Sequence, residues 1–344
     1  MAFLNKDPRL ITYGETNLGM PLVLAEDLLV PNELFFVRSN GPTPTISCDE
    51  WTLTIDGAVD RTITLTYRQL LELPAHTATA FLECTGNSRS RFDPPAEGTP
   101  WQNDAVGNAT WTGVQLDDVL KLASPKPSSV DVVSQGADLA TMRRGIPVAT
   151  ARNAEVMLAF SMNNEPLPAA HGGPVRLLVP RWAGIASTKW LTRLEVWDRP
   201  FTGPFQGDLY VVYDQDGTPI APISQMPVKS IIASPVDGQL FESPEVEIRG
   251  FAWSGHAGIA KVDVSIDSGE AWRPADIVET AGPLSWVKWS FRTVLPPGNN
   301  QVSTRATDAR GLQQPRVAMW NQKGYMMNAI HTVSFSVSPS KREV

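Results

Sequence analysis

The sequence predicts an α+β protein in two parts, a mixed α/β domain over 1–222 and a β-sandwich over 223–344. Three observations carry this. The chain has 344 residues, more than one ordinary core organises. Its 29 prolines and 25 glycines are spread along the whole length, which keeps helices short and turns frequent. Near residue 220 the pattern changes, from strands interleaved with helical spacing to short strands alone.

The first fifty residues are irregular and include an apolar run, Leu34-Phe35-Phe36-Val37, that leads to Arg38. WTLTIDGAVDRTITLT (51–66) alternates polar and apolar around an Asp56-Gly57 turn signal and reads as a hairpin. YRQLLELP has helical spacing that stops at Pro74, and ATAFLEC (78–84) is a buried strand ending on Cys84. VQLDDVLKLA (114–123) carries apolar residues at i, i+3 and i+4 with a proline soon after, the mark of a short helix. DVVSQ, VMLAFSM, PVRLLVP and KWLTRLEVW are further strands. Past the Pro-punctuated PIAPISQMPVK come EVEIRGFAW, KVDVSID, SGEAW, WVKWSF, QVSTRATD and HTVSFSV. These are short strands at the spacing of a β-sandwich, with a hairpin around Asp267-Ser268-Gly269.

Composition narrows the function. Hydrophobic residues make up 42% and charged residues 19%, the balance of a globular chain. A net charge of -7 does not suit nucleic acid or an anionic membrane, so an anionic substrate would need a local pocket of Arg or Lys. Two cysteines, Cys48 and Cys84, cannot form a disulfide framework, and four histidines without metal-ligand spacing do not make a His-rich metal site. The opening MAFLNKDPRLITYGE shows no signal peptide and no apolar run reaches membrane length. The expectation is a soluble, cytoplasmic protein, or a periplasmic one if the chain is a trimmed mature form.

The chemistry centres on Cys84, in Glu83-Cys84-Thr85-Gly86-Asn87-Ser88-Arg89. A lone cysteine at a strand end is most often an inert apolar residue. Here Arg89 and Arg91 stand close in sequence, and nearby cations favour the thiolate, the form that attacks or binds metal. A nucleophile needs a base, and the candidate is His171, though no local signature links the two. The residues alone leave metal ligand and nucleophile open.

Longer stretches carry a resemblance. ECTGNSR resembles the ECAGNRR-like loop of the sulfite oxidase family, and FFVRSNGPTP (35–44) its FFVRNHxPVP segment. MNNEPLPAAHGGPVRLLVP with KWLTRLEV (162–196) is similar to its MNGEPLPxxHGxPVRLxVP…KWL block. FAWSGHAGIAKVDVSIDSGEAW (251–272) and WNQKGYMMNAIHTV (320–333) resemble the start and close of its C-terminal domain, so the match spans almost the entire chain in order. The resemblance implies a molybdopterin-binding domain followed by an immunoglobulin-like dimerisation domain, and hence a homodimer. It implies molybdenum held by the Cys84 thiolate, with pterin and phosphate held by His171, Arg176, Ser187 and Lys189, and Asp138 near the pterin. It places Arg38, Arg89, Trp101 and Tyr210 at the pocket for a small oxyanion, with the spacing from His171 to Tyr210 preserved. The implied reaction is oxidation of sulfite to sulfate. With no haem or flavin domain before residue 1 or after 344, electrons are expected to pass to a separate acceptor, a c-type cytochrome.

Two positions depart from the pattern. The family's RNH reads Arg38-Ser39-Asn40, so a histidine is replaced by Asn40, which is counted with the cofactor-side residues. The arginine of its WNLRG-like segment is Lys323, which keeps the charge but lacks the fork that grips two oxygens. Both bear on the substrate more than on the cofactor. Two readings compete with sulfite oxidation: a molybdopterin enzyme for nitrate or another sulfur compound, and a cofactor-free binding protein.

Overall fold

Apolar alternation becomes sheet where one face can be buried. Thr52–Gly57 pairs antiparallel with Ile63–Thr66 and buries Leu53, Ile55 and Leu65. The computed structural model describes residues 5–214 and 216–339. It is sheet-rich, with four short α-helices among the described residues. Residues 1–4, the start of the stretch read for a signal peptide, lie outside the described residues. Within these bounds no helix is long and apolar enough to cross a membrane.

The helices follow local chemistry. Tyr67–Leu71 opens with a reciprocal cap: Gln69 N–H donates to Thr66 Oγ1 and Thr66 N–H to Gln69 Oε1. Leu116–Ala123 buries Leu116, Val119, Leu120 and Ala123, a single stripe at i, i+3, i+4 and i+7.

Two sheets frame the first part. One runs Glu165–Pro166, Met157–Met162, Val106–Gln115, Ala75–Glu83, and Arg176–Leu178 also pairs with Met157–Met162. The other runs Ile63–Thr66, Thr52–Gly57, Leu191–Trp197, Asp131–Gly136, Arg143–Pro147, parallel only where Thr52–Gly57 meets Leu191–Trp197. That parallel pair corrects the reading of Asp56-Gly57 as the turn. Gly57 stays in the strand opposite Val196 with φ +89°, its bare Cα packed on the Val196 carbonyl, and the reversal falls beyond it.

The last part holds two more sheets. The first runs Lys229–Ser234, Glu245–Trp253, Val287–Val294, Asp276–Thr280; the second runs Leu240–Phe241, His331–Val337, Gly298–Asp308, Ile259–Ser265, Arg273–Pro274. A core of Val246, Ile248, Val262, Val264, Trp289 and Phe335 draws on both. SGEAW is not a strand. Ser265 and Asp267 side chains take up the turn's backbone N–H groups at Gly269 and Ala271, and the return strand is Arg273–Pro274. Lys229–Ser234 escapes a reading based on alternation because both its faces are covered. Ile231 joins the core beneath Cys84, with Phe81, Phe251 and Trp253, while Ile232 joins the core between the two sheets. Asp276–Thr280 escapes it because it is exposed throughout.

Candidate functional site

Cys84 follows directly on strand Ala75–Glu83, and its N–H still donates to Ala105 O at 2.9 Å, so the ladder holds its backbone. The chain then turns, with Asn87 N–H donating to Cys84 O at 2.9 Å and Ser88 at φ +70°. The sulfur faces two adjoining pockets that share Arg38, Cys84 and Tyr210. Among the described residues no group of three or more His, Cys, Asp or Glu side chains is placed to hold a metal ion, so these residue types do not form a full ligand set around Cys84.

The inner pocket gathers every residue assigned to the cofactor: Asn40, Cys84, Asp138, His171, Arg176, Ser187 and Lys189. Arg176 opens strand Arg176–Leu178 and is buried. It donates to His171 O and Ser187 O, both at 2.8 Å, and its guanidinium lies 5.3 Å from the Trp111 ring centroid. Ser187 Oγ accepts from Val179 N–H at 3.0 Å, pinning the loop between the two segments. Lys189 Nζ donates to Ser39 Oγ at 2.7 Å and Ala170 O at 2.9 Å.

This pocket concentrates positive charge with little to balance it. Burial pulls the Arg176 pKa down to about 9. Burial, then repulsion from Arg176, holds Lys189 well below the ordinary lysine range. Burial, then Lys6 and Lys189, holds the His171 pKa well below the ordinary histidine range. Arg176 and Lys189 have no ion-pair partner within 4.0 Å among the described residues. The one carboxylate in its lining, Asp138, has both oxygens buried with no well-formed hydrogen bond, and burial raises its pKa against weak backbone N–H contacts from Leu139 and its own residue. Buried charges and acceptors left this way cost free energy until a partner fills them. An anion against Arg176 and Lys189, joined to a group offering N–H donors to Asp138, satisfies both. A phosphorylated pterin has that chemistry, so the residues fit it.

The outer pocket gathers every residue assigned to substrate: Arg38, Arg89, Trp101, Tyr210 and Lys323. Arg89 Nε donates to Lys323 O at 2.9 Å and Nη1 to Thr99 O at 2.7 Å. Its guanidinium lies 5.3 Å from the Tyr325 centroid. Glycines on three loops close around it. A Cβ would stand 2.5 Å from Nη2 at Gly86, 3.0 Å from Nη1 at Gly98 and 2.6 Å from Cγ at Gly324. Gly98 and Gly324 also hold positive φ. Trp101 is fully buried against Tyr13, ring centroids 4.7 Å apart. Asn40 ties the two pockets together: its Oδ1 accepts from Arg38 Nη2 at 2.6 Å and from Tyr210 O–H at 3.3 Å. Lys323 lies 3.6 Å from Glu97, which shares its charge.

One expectation fails. Arg91 turns away from the sulfur and donates to Ile330 O at 2.7 Å, so charge near Cys84 comes from elsewhere. Four side chains went unread. Lys6 donates to Asn32 O and Phe35 O beside His171 Nε2, from a segment with no local signal. Tyr325 stacks on Tyr210 at 5.5 Å and 9°, and its place two residues after Lys323 gave a usable signal. Glu83 and Lys229 form a buried ion pair beside the cysteine.

Comparison with known proteins agrees with this layout. The family described as "Oxidoreductase molybdopterin binding domain" matches residues 40–205, and "Mo-co oxidoreductase dimerisation domain" matches 221–338. Human mitochondrial sulfite oxidase is 34% identical over 93% of this chain, which spans 64% of that protein's length. The sulfite oxidase of Gallus gallus is 33% identical over 90% of this chain and 73% of its own length. The sulfane dehydrogenase SoxCD from Paracoccus pantotrophus superposes with a TM-score of 0.87 at 29% identity, over 95% of this chain and 86% of that one. The chain belongs to the sulfite oxidase family of molybdopterin oxidoreductases.

Proposed function

We propose that the protein oxidises sulfite to sulfate at a molybdenum–molybdopterin centre bound by Cys84. The observation that carries the reading is the meeting of the two pockets at one cysteine. One holds unbalanced buried cations and an unsatisfied acid; the other is a cationic recess open to a small anion. When bound, the molybdenum–pterin group supplies the two-electron redox centre. Cys84 Sγ would be its protein ligand, Asp138 would face the pterin, and Arg176 and Lys189, with His171 and Ser187 beside them, would hold its phosphate. The net reaction takes sulfite and water to sulfate, two protons and two electrons.

The substrate steps belong to the outer pocket. Arg38, Arg89 and Lys323 draw in the oxyanion by local charge within an acidic protein. Carbonyl partners on Arg89 fix its fork before substrate arrives, so little orientation is lost on binding. Tyr210 O–H, shared with Asn40, is placed to hydrogen-bond to the anion, and Trp101 forms a dry wall.

The same reading takes residues 1–222 as the molybdopterin domain and 223–344 as an immunoglobulin-like sandwich that pairs two copies into a homodimer. Electrons leave for a separate carrier, a c-type cytochrome. Molybdenum quantification with a steady-state sulfite assay tests it: one molybdenum per chain without sulfite turnover refutes the substrate. A second reading has one observation in its favour. Lys323 is drawn toward Glu97 and not left free for a dianion, which suits a different sulfur compound or nitrate. Parallel assays with those substrates separate the two.

A further inference from the structure

Glu83, the residue before Cys84, has no solvent exposure, and its carboxylate is occupied from three sides. Oε1 accepts from Lys229 Nζ at 3.0 Å and from Asn87 Nδ2 at 2.9 Å, while Oε2 accepts from Trp253 Nε1 at 2.7 Å. Lys229 also donates to Asn87 O at 3.3 Å. Asn87 passes the constraint on: its Oδ1 accepts from Ala105 N–H at 3.0 Å, and its own N–H donates to Cys84 O at 2.9 Å. Lys229 and Trp253 stand opposite one another on paired strands of the C-terminal part. Residues flanking the cysteine on both sides are thus held by side chains that lie beyond residue 222.

A buried ion pair contributes little stability over well-packed apolar residues of the same volume, yet it fixes position sharply, because one missing partner strands a charge. We propose that Lys229 and Trp253 are positioning residues for Cys84: through Glu83 and Asn87 they set the turn that presents the sulfur to the cofactor. This rests on the reading of Cys84 as metal ligand. It gives the C-terminal part a share in assembling the site, apart from any role in pairing copies.

The test uses the full chain in a Cys48→Ser background, which leaves Cys84 as the one thiol. Lys229→Met, the pair Glu83→Gln/Lys229→Met, and Trp253→Phe are compared with the parent. Melting temperature, the rate of Cys84 alkylation by iodoacetamide in cofactor-free protein, and the sulfur-to-molybdenum absorption band per bound metal are read. Lys229→Met should lower the melting temperature and speed alkylation about tenfold or more, as a locally released turn opens more often. The double variant should recover the melting temperature and keep both the fast alkylation and a displaced band. Trp253→Phe, which removes one donor, should speed alkylation by a smaller factor. A double variant with parental melting temperature and parental alkylation overturns the proposal, leaving the pair a packing element only. Parent protein that carries molybdenum without the sulfur band refutes Cys84 as ligand, and the alkylation rates still decide whether its turn is positioned by Lys229.

Discussion

Replacing Arg176 with methionine should leave the cofactor-free protein about as stable as before and weaken cofactor retention severely. The guanidinium makes two bonds to carbonyl oxygens at 2.8 Å, and such charge-assisted bonds are worth about 1.5–3 kcal/mol each. Against that stands the cost of burying its charge, several kcal/mol, which the pKa of about 9 registers as uncovered. The two nearly cancel, and methionine fills much of the same space. An anionic phosphate about 4 Å away adds about 4 kcal/mol at an effective dielectric near 20. Losing that term corresponds to a factor of about 1,000 in retention, at 1.4 kcal/mol per tenfold. Melting curves with and without cofactor, and pterin fluorescence after dialysis and denaturation, measure both halves. A variant that retains pterin like the parent refutes the phosphate assignment. One whose cofactor-free form melts far lower refutes the cancellation.

Further outcomes follow from the same geometry. Cys84→Ser should abolish turnover while Cys48→Ser, exposed and outside the lining of both pockets, should leave it near parental; equal loss in both counts against Cys84 as the ligand. Arg89→Gln should raise KM for sulfite about tenfold or more by removing a charged fork, and an unchanged KM argues against its contact with the anion. Asp104 accepts from Tyr13 O–H at 2.7 Å, and burial pushes its pKa up to about 6. The fold therefore holds this proton more tightly than the unfolded chain does. The stability it contributes is full below about pH 4 and fades as pH rises through 6. Asp104→Asn should flatten the fall of melting temperature across that window, which calorimetry reads directly.

How much the sequence disclosed depended on where each constraint lives. The hairpin at 52–66, the helix at Leu116–Ala123 and the strand leading to Cys84 are written in local periodicity, and each forms within a few residues of its expected bounds. Lys229–Ser234 is hidden because a strand covered on both faces does not alternate. SGEAW misleads because side chains at Ser265 and Asp267 satisfy the backbone that a strand would have paired. The resemblance supplied the site residues, and all of them line the two pockets. What no motif showed is the support behind them. Lys6 reaches His171 across 165 positions and Lys229 reaches Glu83 across 146, so neither leaves a trace near the residue it holds.

The glycines around Arg89 have a consequence for tolerance to change. Gly86 and Gly98 lie close to Arg89 in sequence and Gly324 far from it, yet each leaves room for the same arginine side chain. A methyl group at Gly86 meets the Arg89 guanidinium, one at Gly98 crowds the same fork, and one at Gly324 meets both Arg89 Cγ and Ala96 Cβ. Substitution at Gly86 thus acts chiefly through Arg89, while at Gly98 and Gly324 it also strains a backbone held at positive φ. A survey of tolerated residues along the chain should show Gly86 failing together with Arg89 in substrate affinity, and Gly98 and Gly324 failing in folding as well.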